Sequence, residues 1–249
     1  MKHRGLGIIV LVLLLSLFLG SCAKATTKVK VATDATWPPF ETVDEATKKI
    51  VGFDIDLMDA IAKKAGFEVE YENVPFDTLL AGLSTCQYQV GISATTITEE
   101  RSKSMLFSDP YMNAGQVVVI NKSETGVKSK DDLAGKRVSA QLGTTGEMEA
   151  KKIAKVVYKP YDTLDLAMLD LANGQIDAVI ADYPTAVAFV AANSEKLATV
   201  GTVFTDENYG VIFCKTNTDL QAKVNTALKA LIAEGKIKEF EQKWLSASK

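Results

Sequence analysis

Two spacings of apolar residues alternate along the chain. Phe53, Ile55, Leu57, Met58, Ile61 and Ala62 recur mainly at helical spacing and predict an amphipathic helix over 53–65, with Gly66 as its stop. Residues 76–83, 147–154, 164–172, 184–192, 220–234 and 237–245 read as further helices, the last two split at Gly235. Between them lie short apolar or β-branched runs at 29–33, 68–71, 90–93, 116–121, 136–140, 156–158, 177–181 and 209–215, which read as strands. Trp37-Pro38-Pro39-Phe40 cannot prolong the first strand, because proline has no N–H to give the ladder. The alternation of strand and helix implies parallel sheets with helices on their faces. It occurs twice in succession, and the chain returns to the first set at its end. The expected fold is therefore α/β with two lobes, each a mostly parallel sheet with flanking helices. Ligands of open α/β sheets bind at the C-terminal ends of the strands, so facing lobes would leave one cleft.

The N-terminus changes the picture of location. Lys2, His3 and Arg4 precede an uncharged apolar stretch from Leu6 to Leu19, too short to span a bilayer comfortably. This is the pattern of a secretory signal peptide, expected over 1–21. Its end, Leu19-Gly20-Ser21-Cys22, resembles the bacterial lipobox, in which the cysteine carries lipid (palmitate among its acyl chains) and becomes the first mature residue. Residues 22–27 are polar and mostly small and suit a tether. The expected mature protein is exported and anchored to the membrane through Cys22, facing periplasm or cell exterior.

Composition excludes several classes. Of 28 Lys and Arg, Lys2 and Arg4 fall in the signal; the remaining 26 face 31 acidic residues, a net charge of −5. Nucleic-acid binding needs a basic face, so no nucleic-acid partner is expected. His3 is the chain's only histidine and lies in the signal. The mature chain therefore lacks the Ser-His and Cys-His nucleophilic pairs and the usual zinc ligands. No Walker loop or G-x-G-x-x-G occurs. No catalytic set, metal or cofactor is expected. Cys86 and Cys214 remain after Cys22; in an exported chain such a pair is either a disulfide or two buried thiols.

Five segments then carry a family likeness: Val31-Ala-Thr-Asp-Ala-Thr-Trp-Pro-Pro-Phe-Glu41, Gly52-Phe-Asp-Ile-Asp-Leu57, Thr96-Ile-Thr-Glu-Glu-Arg101, Phe107-Ser-Asp-Pro-Tyr111 and Gly143-Thr-Thr-Gly146. In this order they resemble the polar amino-acid-binding proteins of ABC importers, periplasmic binding proteins of the type II fold, also called extracellular solute-binding proteins of family 3. The end, Gly235 to Trp244, is similar to that family's C-terminal helix, and the likeness covers about residues 28–246. It implies lobe 1 over 28–114 plus 210–249, lobe 2 over 115–209, and a two-strand hinge. It also implies a monomer that hands a small L-amino acid to permease subunits. One departure is Cys86, where the family commonly has glycine. The resemblance places the strand after Cys86 beside the returning strand, and so brings Cys86 near Cys214.

The resemblance also assigns a binding set. A free amino acid is a zwitterion and needs a cation or amide donors for its carboxylate and an anion for its ammonium. Arg101, after a strand end and a polar turn, is expected to grip the carboxylate with its planar fork. Thr96 would add its hydroxyl, and Ala94 a carbonyl toward the ammonium. Thr144 and Thr145, at a helix N-terminus, would offer amides to the same carboxylate from the opposite lobe. Asp182 would accept from the ammonium; its other reading is a helix cap before Pro184. Asp34 would meet the ligand side chain, with Trp37 and Phe53 as apolar walls and Gln141 as a specificity residue. These types point to a polar or basic ligand: arginine, lysine, histidine or glutamine. Two rivals share the fold: a ligand-sensing receptor subunit, and a dehydratase-like enzyme using Asp34, Asp54, Asp56 or Asp182. The intact zwitterion clamp argues against an enzyme.

Overall fold

The computed structural model describes residues 27–245. The expected signal peptide, the expected lipidation site at Cys22 and all but the last residue of the expected tether fall outside the described residues.

β1 (Lys28–Thr33) is followed by a small antiparallel ribbon of β2 (Thr36–Trp37), β3 (Glu41–Val43) and β4 (Ile50–Val51). Next comes α1 (Phe53–Ala65), which buries the apolar positions of its sequence pattern. Its entry requires glycine: Gly52 has φ +147°, and a Cβ there would lie 1.9 Å from the Phe40 carbonyl oxygen. β5 (Glu68–Asn73), α2 (Phe76–Ser84), β6 (Val90–Gly91), α3 (Glu99–Ser104) and β7 (Met105–Phe107) follow. β8 (Met112–Ala114) leads into β9 (Gln116–Asn121), β10 (Arg137–Gln141), α4 (Thr145–Lys152), β11 (Val157–Tyr161), α5 (Leu164–Ala172), β12 (Ala178–Asp182), α6 (Tyr183–Ala192) and β13 (Leu197–Val200). β14 (Glu207–Tyr209) brings the chain back to β15 (Ile212–Cys214), α7 (Thr218–Ala233) and α8 (Lys236–Trp244).

Two five-stranded sheets result, in the orders β5-β1-β6-β15-β7 and β11-β10-β12-β9-β13. In each, four strands run one way and a single strand, β15 in the first sheet and β9 in the second, runs against them. β8 and β14 pair with each other and belong to neither sheet, so they link the two lobes. The run 209–215, which reads as one strand, is divided at Gly210 and Val211 between that link and the first sheet. The all-apolar stretch of β9 needs both faces covered. Val117 and Val119 pack into a cluster shared with α5, whereas Val118 and Ile120 pack with Val138, Ala178 and Ile180 on the other face.

The C-terminal helix closes on the first lobe. Asp56 of α1 accepts from Trp244 Nε1 at 2.6 Å and Lys243 Nζ at 2.7 Å. Cys86 and Cys214 form a disulfide, with Cα atoms 4.9 Å apart. Cys86 has φ +61°, the left-handed region that favours glycine.

Candidate functional site

The C-terminal ends of the parallel strands meet at one narrow cavity between the lobes. Asp34 follows β1, Ser93, Ala94 and Thr96 follow β6, Gln141 ends β10, and Asp182 ends β12. Trp37, Phe76, Arg101, Thr144 and Thr145 complete the wall. Nine of the ten residues expected from the sequence are thus brought together. Phe53 is not. Its ring is fully buried behind the site, edge-on to Phe40 and Phe240 and stacked at 6.1 Å on Tyr111. An apolar residue at the first position of an amphipathic helix points inward with the rest of its stripe, and here that stripe faces the core.

Arg101 sits in α3, whose N-cap hydroxyl, Thr98 Oγ1, accepts from the Arg101 amide at 3.1 Å. Arg101 is 5 % exposed, although Glu99 and Glu100 precede it in a charged Glu-Glu-Arg run. One terminal nitrogen donates to the Thr96 carbonyl at 2.7 Å, and the other crosses to the Gly143 carbonyl of the second lobe at 2.8 Å. The guanidinium lies over the Phe76 ring at 5.5 Å. Burial lowers its pKa to about 10, while the charges of Asp182 and Glu207 oppose that shift. It is therefore cationic at neutral pH. Its Nε–H has no partner, which leaves a donor for an anion in the cavity.

The second lobe contributes a helix N-terminus and two side chains. Thr144 caps α4 by accepting from the Glu147 amide at 3.2 Å. Gly146 lets the helix approach β12 closely, since a Cβ would lie 2.8 Å from the Ile180 carbonyl oxygen. Thr144 and Thr145 at the start of α4 line the cleft, and the N–H groups of a helix start suit an anion. Asp182 occupies the N-cap position of α6 but caps nothing. Its carboxylate faces the cleft instead, taking Gln116 Nε2 at 2.7 Å and Tyr209 Oη at 2.5 Å. Burial, then the charge of Glu207, pushes its pKa up to about 6.

At the other end of the cavity Gln141 Nε2 donates to Asp34 at 2.7 Å, from the second lobe to the first. Burial raises the Asp34 pKa, against the pull of the Thr36 and Gln141 hydrogen bonds. The Asp34 amide donates to Ser93 Oγ at 3.1 Å, and Ser93 Oγ donates to the buried Glu41 at 3.0 Å. Ala94 holds φ +40°, a costly conformation for a residue with a Cβ. Its amide is fixed by Asp54 at 2.7 Å, and Tyr111 Oη donates to the same oxygen at 2.9 Å.

Sequence reasoning missed Phe76, Ser93 and Glu207. Phe76 and Ser93 line the cavity. Glu207 accepts from Thr96 Oγ1 and Thr145 Oγ1, each at 2.7 Å. The hydroxyl proton of Thr96 therefore goes to Glu207 rather than into the cavity. The structure puts Glu207 two residues before the buried Tyr209 on the same face of β14, outside the strand expected over 209–215.

Among the described residues no cluster suits a metal ion, and no helix is long and apolar enough to cross a membrane. What the lobes enclose is a mixed-charge cleft with donors at one point and acceptors at two others. Such a structure defines a two-lobed α/β ligand-binding protein. The model for bacterial extracellular solute-binding proteins, family 3, matches residues 29–247, and the chain belongs to that family. It is 35% identical over 228 residues to the ABC transporter arginine-binding protein 1 of Escherichia coli, covering 89% of this chain and 92% of that protein. It superposes with TM-score 0.84 and 41% identity on an ancestral arginine-binding protein bound to arginine, covering 88% and 98%. The arginine-, lysine-, histidine-binding protein ArtJ of Geobacillus stearothermophilus gives TM-score 0.83 and 42% identity, covering 88% and 95%.

Proposed function

We propose that the cleft captures a polar or basic L-amino acid, drawn from arginine, lysine, histidine and glutamine, with the cationic members favoured. The observation that carries this reading is the set of three charged side chains on one cavity wall: Arg101, Asp182 and Asp34. Their sum is −1 when all are ionised. A cationic amino acid brings one carboxylate and two cationic groups, a sum of +1. The carboxylate pairs with Arg101 and the first amides of α4, the ammonium with Asp182, and the side-chain cation with Asp34. An acidic ligand would leave its side chain against Asp34, at the cost of a buried like-charge pair. The names of the relatives, for arginine and for arginine, lysine and histidine, support the same choice.

Several charge-assisted bonds of about 1.5–3 kcal/mol each offset the ordering cost and leave a micromolar Kd, about −8 kcal/mol. Binding proceeds by hinge closure, with 28–114 plus 210–249 as one body and 115–209 as the other. We further propose that the mature chain is lipidated on Cys22 and delivers its ligand to the permease of an ABC transporter. The test of the ligand is a thermal-shift screen of protein stripped by unfolding and refolding, against the twenty L-amino acids. One or two basic or polar amino acids should raise Tm, since ligand at 100 Kd adds about 2.7 kcal/mol. No rise with any of them overturns the assignment.

A further inference from the structure

We propose that Glu207, on the linking strand β14, is a positioning residue for the ammonium end of the ligand. It takes one hydroxyl proton from each lobe, which ties the lobes together and leaves both oxygens facing the cavity as acceptors. The inference rests on the amino-acid reading of the cleft.

Its basis is a count of protons. Glu207 is buried, as is Tyr209 two residues on, while Asn208 between them is exposed. Both inward side chains of β14 thus lie behind the cavity wall and bond to residues that line it, Glu207 to Thr96 and Thr145 and Tyr209 to Asp182. Glu207 Oε2 accepts from Thr96 Oγ1 of the first lobe and Thr145 Oγ1 of the second, each at 2.7 Å, and Oε1 accepts from Thr205 Oγ1 at 2.8 Å. A threonine hydroxyl has one proton and two lone pairs. With that proton given to Glu207, neither Thr96 nor Thr145 can donate to a ligand carboxylate. Thr145 Oγ1 also accepts from Gln116 Nε2 at 3.0 Å, which leaves one lone pair; Thr96 keeps two. Both residues line the cavity beside Asp182. An ammonium has three N–H donors, and Asp182, Thr96 and Thr145 supply three acceptors. The carboxylate is then left to Arg101 and the α4 amides alone.

The assignment has a definite sign. If Glu207 merely occupied donors that the ligand carboxylate needs, its removal would tighten binding. If it orients acceptors for the ammonium, removal weakens binding, and only for ligands that carry the ammonium. The experiment compares wild type, Glu207→Ala and Glu207→Gln by calorimetry with L-arginine and with 5-guanidinopentanoate, the same molecule without its ammonium. Small-angle scattering of each ligand-free protein reads lobe separation. We expect Glu207→Ala to lose about 10–100-fold for arginine, little for the analogue, and to be more open without ligand. Glu207→Gln, which keeps one acceptor oxygen, should recover part of both and serves if the alanine variant misfolds. Unchanged or tighter arginine binding, or equal loss for both ligands, overturns the proposal. If wild type binds no amino acid, the reading of the cleft fails instead. The scattering arm still decides then whether Glu207 holds the lobes together, and unchanged separation in both variants refutes that as well.

Discussion

The two lobes share a sheet plan but fill it differently. Every buried aromatic side chain among the described residues lies in the first lobe or on the strands leading to and from it: Trp37, Phe40, Phe53, Phe67, Phe76, Phe107, Tyr111, Tyr209 and Phe213. The second sheet is packed with Val, Ile, Leu, Met and Ala. The site follows the same division. The first lobe supplies Arg101, Asp34, Trp37 and Phe76, beside Ser93 and Ala94, which the buried Glu41, Asp54 and Tyr111 brace from behind. The second supplies mainly helix N–H groups, two short hydroxyls, Gln141 and Asp182. Rigid aromatic packing under one wall makes that wall the platform, and the aliphatic lobe with its backbone donors makes the lid.

The comparison can be broken at several points. The largest expected effect is Arg101→Ala on the platform. It should cost about 4 kcal/mol of binding, roughly 1000-fold, because a buried charge partner is removed. Gln141→Ala on the lid should cost only about tenfold, since the single hydrogen bond lost between the lobes comes from an uncharged amide. Calorimetry with arginine reads both; equal losses would deny that one lobe dominates binding.

Next comes the disulfide. Cys86 and Cys214 are 128 residues apart, so the bridge closes a loop that contains the whole second lobe. Both ends lie in the first lobe, so the bridge ties that lobe's two chain segments together around the inserted one. Chain entropy sets a ceiling near ~5 kcal/mol, and about 3 kcal/mol is expected in practice. The double serine variant should melt about 6–12 °C lower with its Kd for arginine unchanged. A changed Kd would mean that the bridge shapes the site as well as the fold.

A smaller effect separates wall from core. Phe53→Leu should cost about 2 kcal/mol of stability, because a buried ring is replaced by a smaller side chain. Its effect on Kd should be below twofold. Loss of binding without loss of stability would return Phe53 to the cavity wall.

How much of this was legible in the sequence follows from the same division. The α1 stripe, the β9 run and the strand–helix alternation were readable, because local periodicity encodes burial. Arg101, Asp34, Asp182 and the Gly143–Thr145 turn were picked out by the family resemblance, and the structure places them at strand ends and a helix start around one cavity. The ribbon of β2 to β4 and the short β7, β8 and β13 were not, because two to four residues carry too little period. Phe53 misled because an aromatic beside a motif glycine has the same local signature whether it faces a ligand or a core. Glu207 was hidden because a carboxylate in an Asp-Glu-Asn run reads as surface charge until the partner hydroxyls, about 60 and 110 residues away, are folded against it.

The smallest predicted effect tests whether ligand affinity and ligand-free stability respond oppositely to pH. The pKa of Asp182 on the lid stands at about 6, raised by burial and by Glu207. The ligand's ammonium pairs with its ionised form, so binding below pH 6 must expel a proton. Arginine affinity should therefore be flat above pH 7 and fall about tenfold, ~1.4 kcal/mol, by pH 5. Ligand-free stability runs the other way. On the platform Asp54 is also raised to about 6, and Glu41 well above its usual range; burial is the first cause for both, and the charge of Asp54 adds to the rise at Glu41. A carboxyl whose folded pKa exceeds its unfolded value stabilises fully below the unfolded pKa, and that stability is lost as pH rises through the folded pKa. The ligand-free Tm contribution of Asp54 and Asp182 should thus decline from about pH 4 through 6, the range over which affinity increases, and that of Glu41 declines in the same direction. Glu41→Gln should flatten the stability slope and leave the midpoint of the affinity profile in place. Calorimetry and melts at pH 5, 6, 7 and 8 measure both. An affinity that stays level from pH 7 to 5 would show that Asp182 does not meet the ammonium, and that the lid acts through its backbone donors alone.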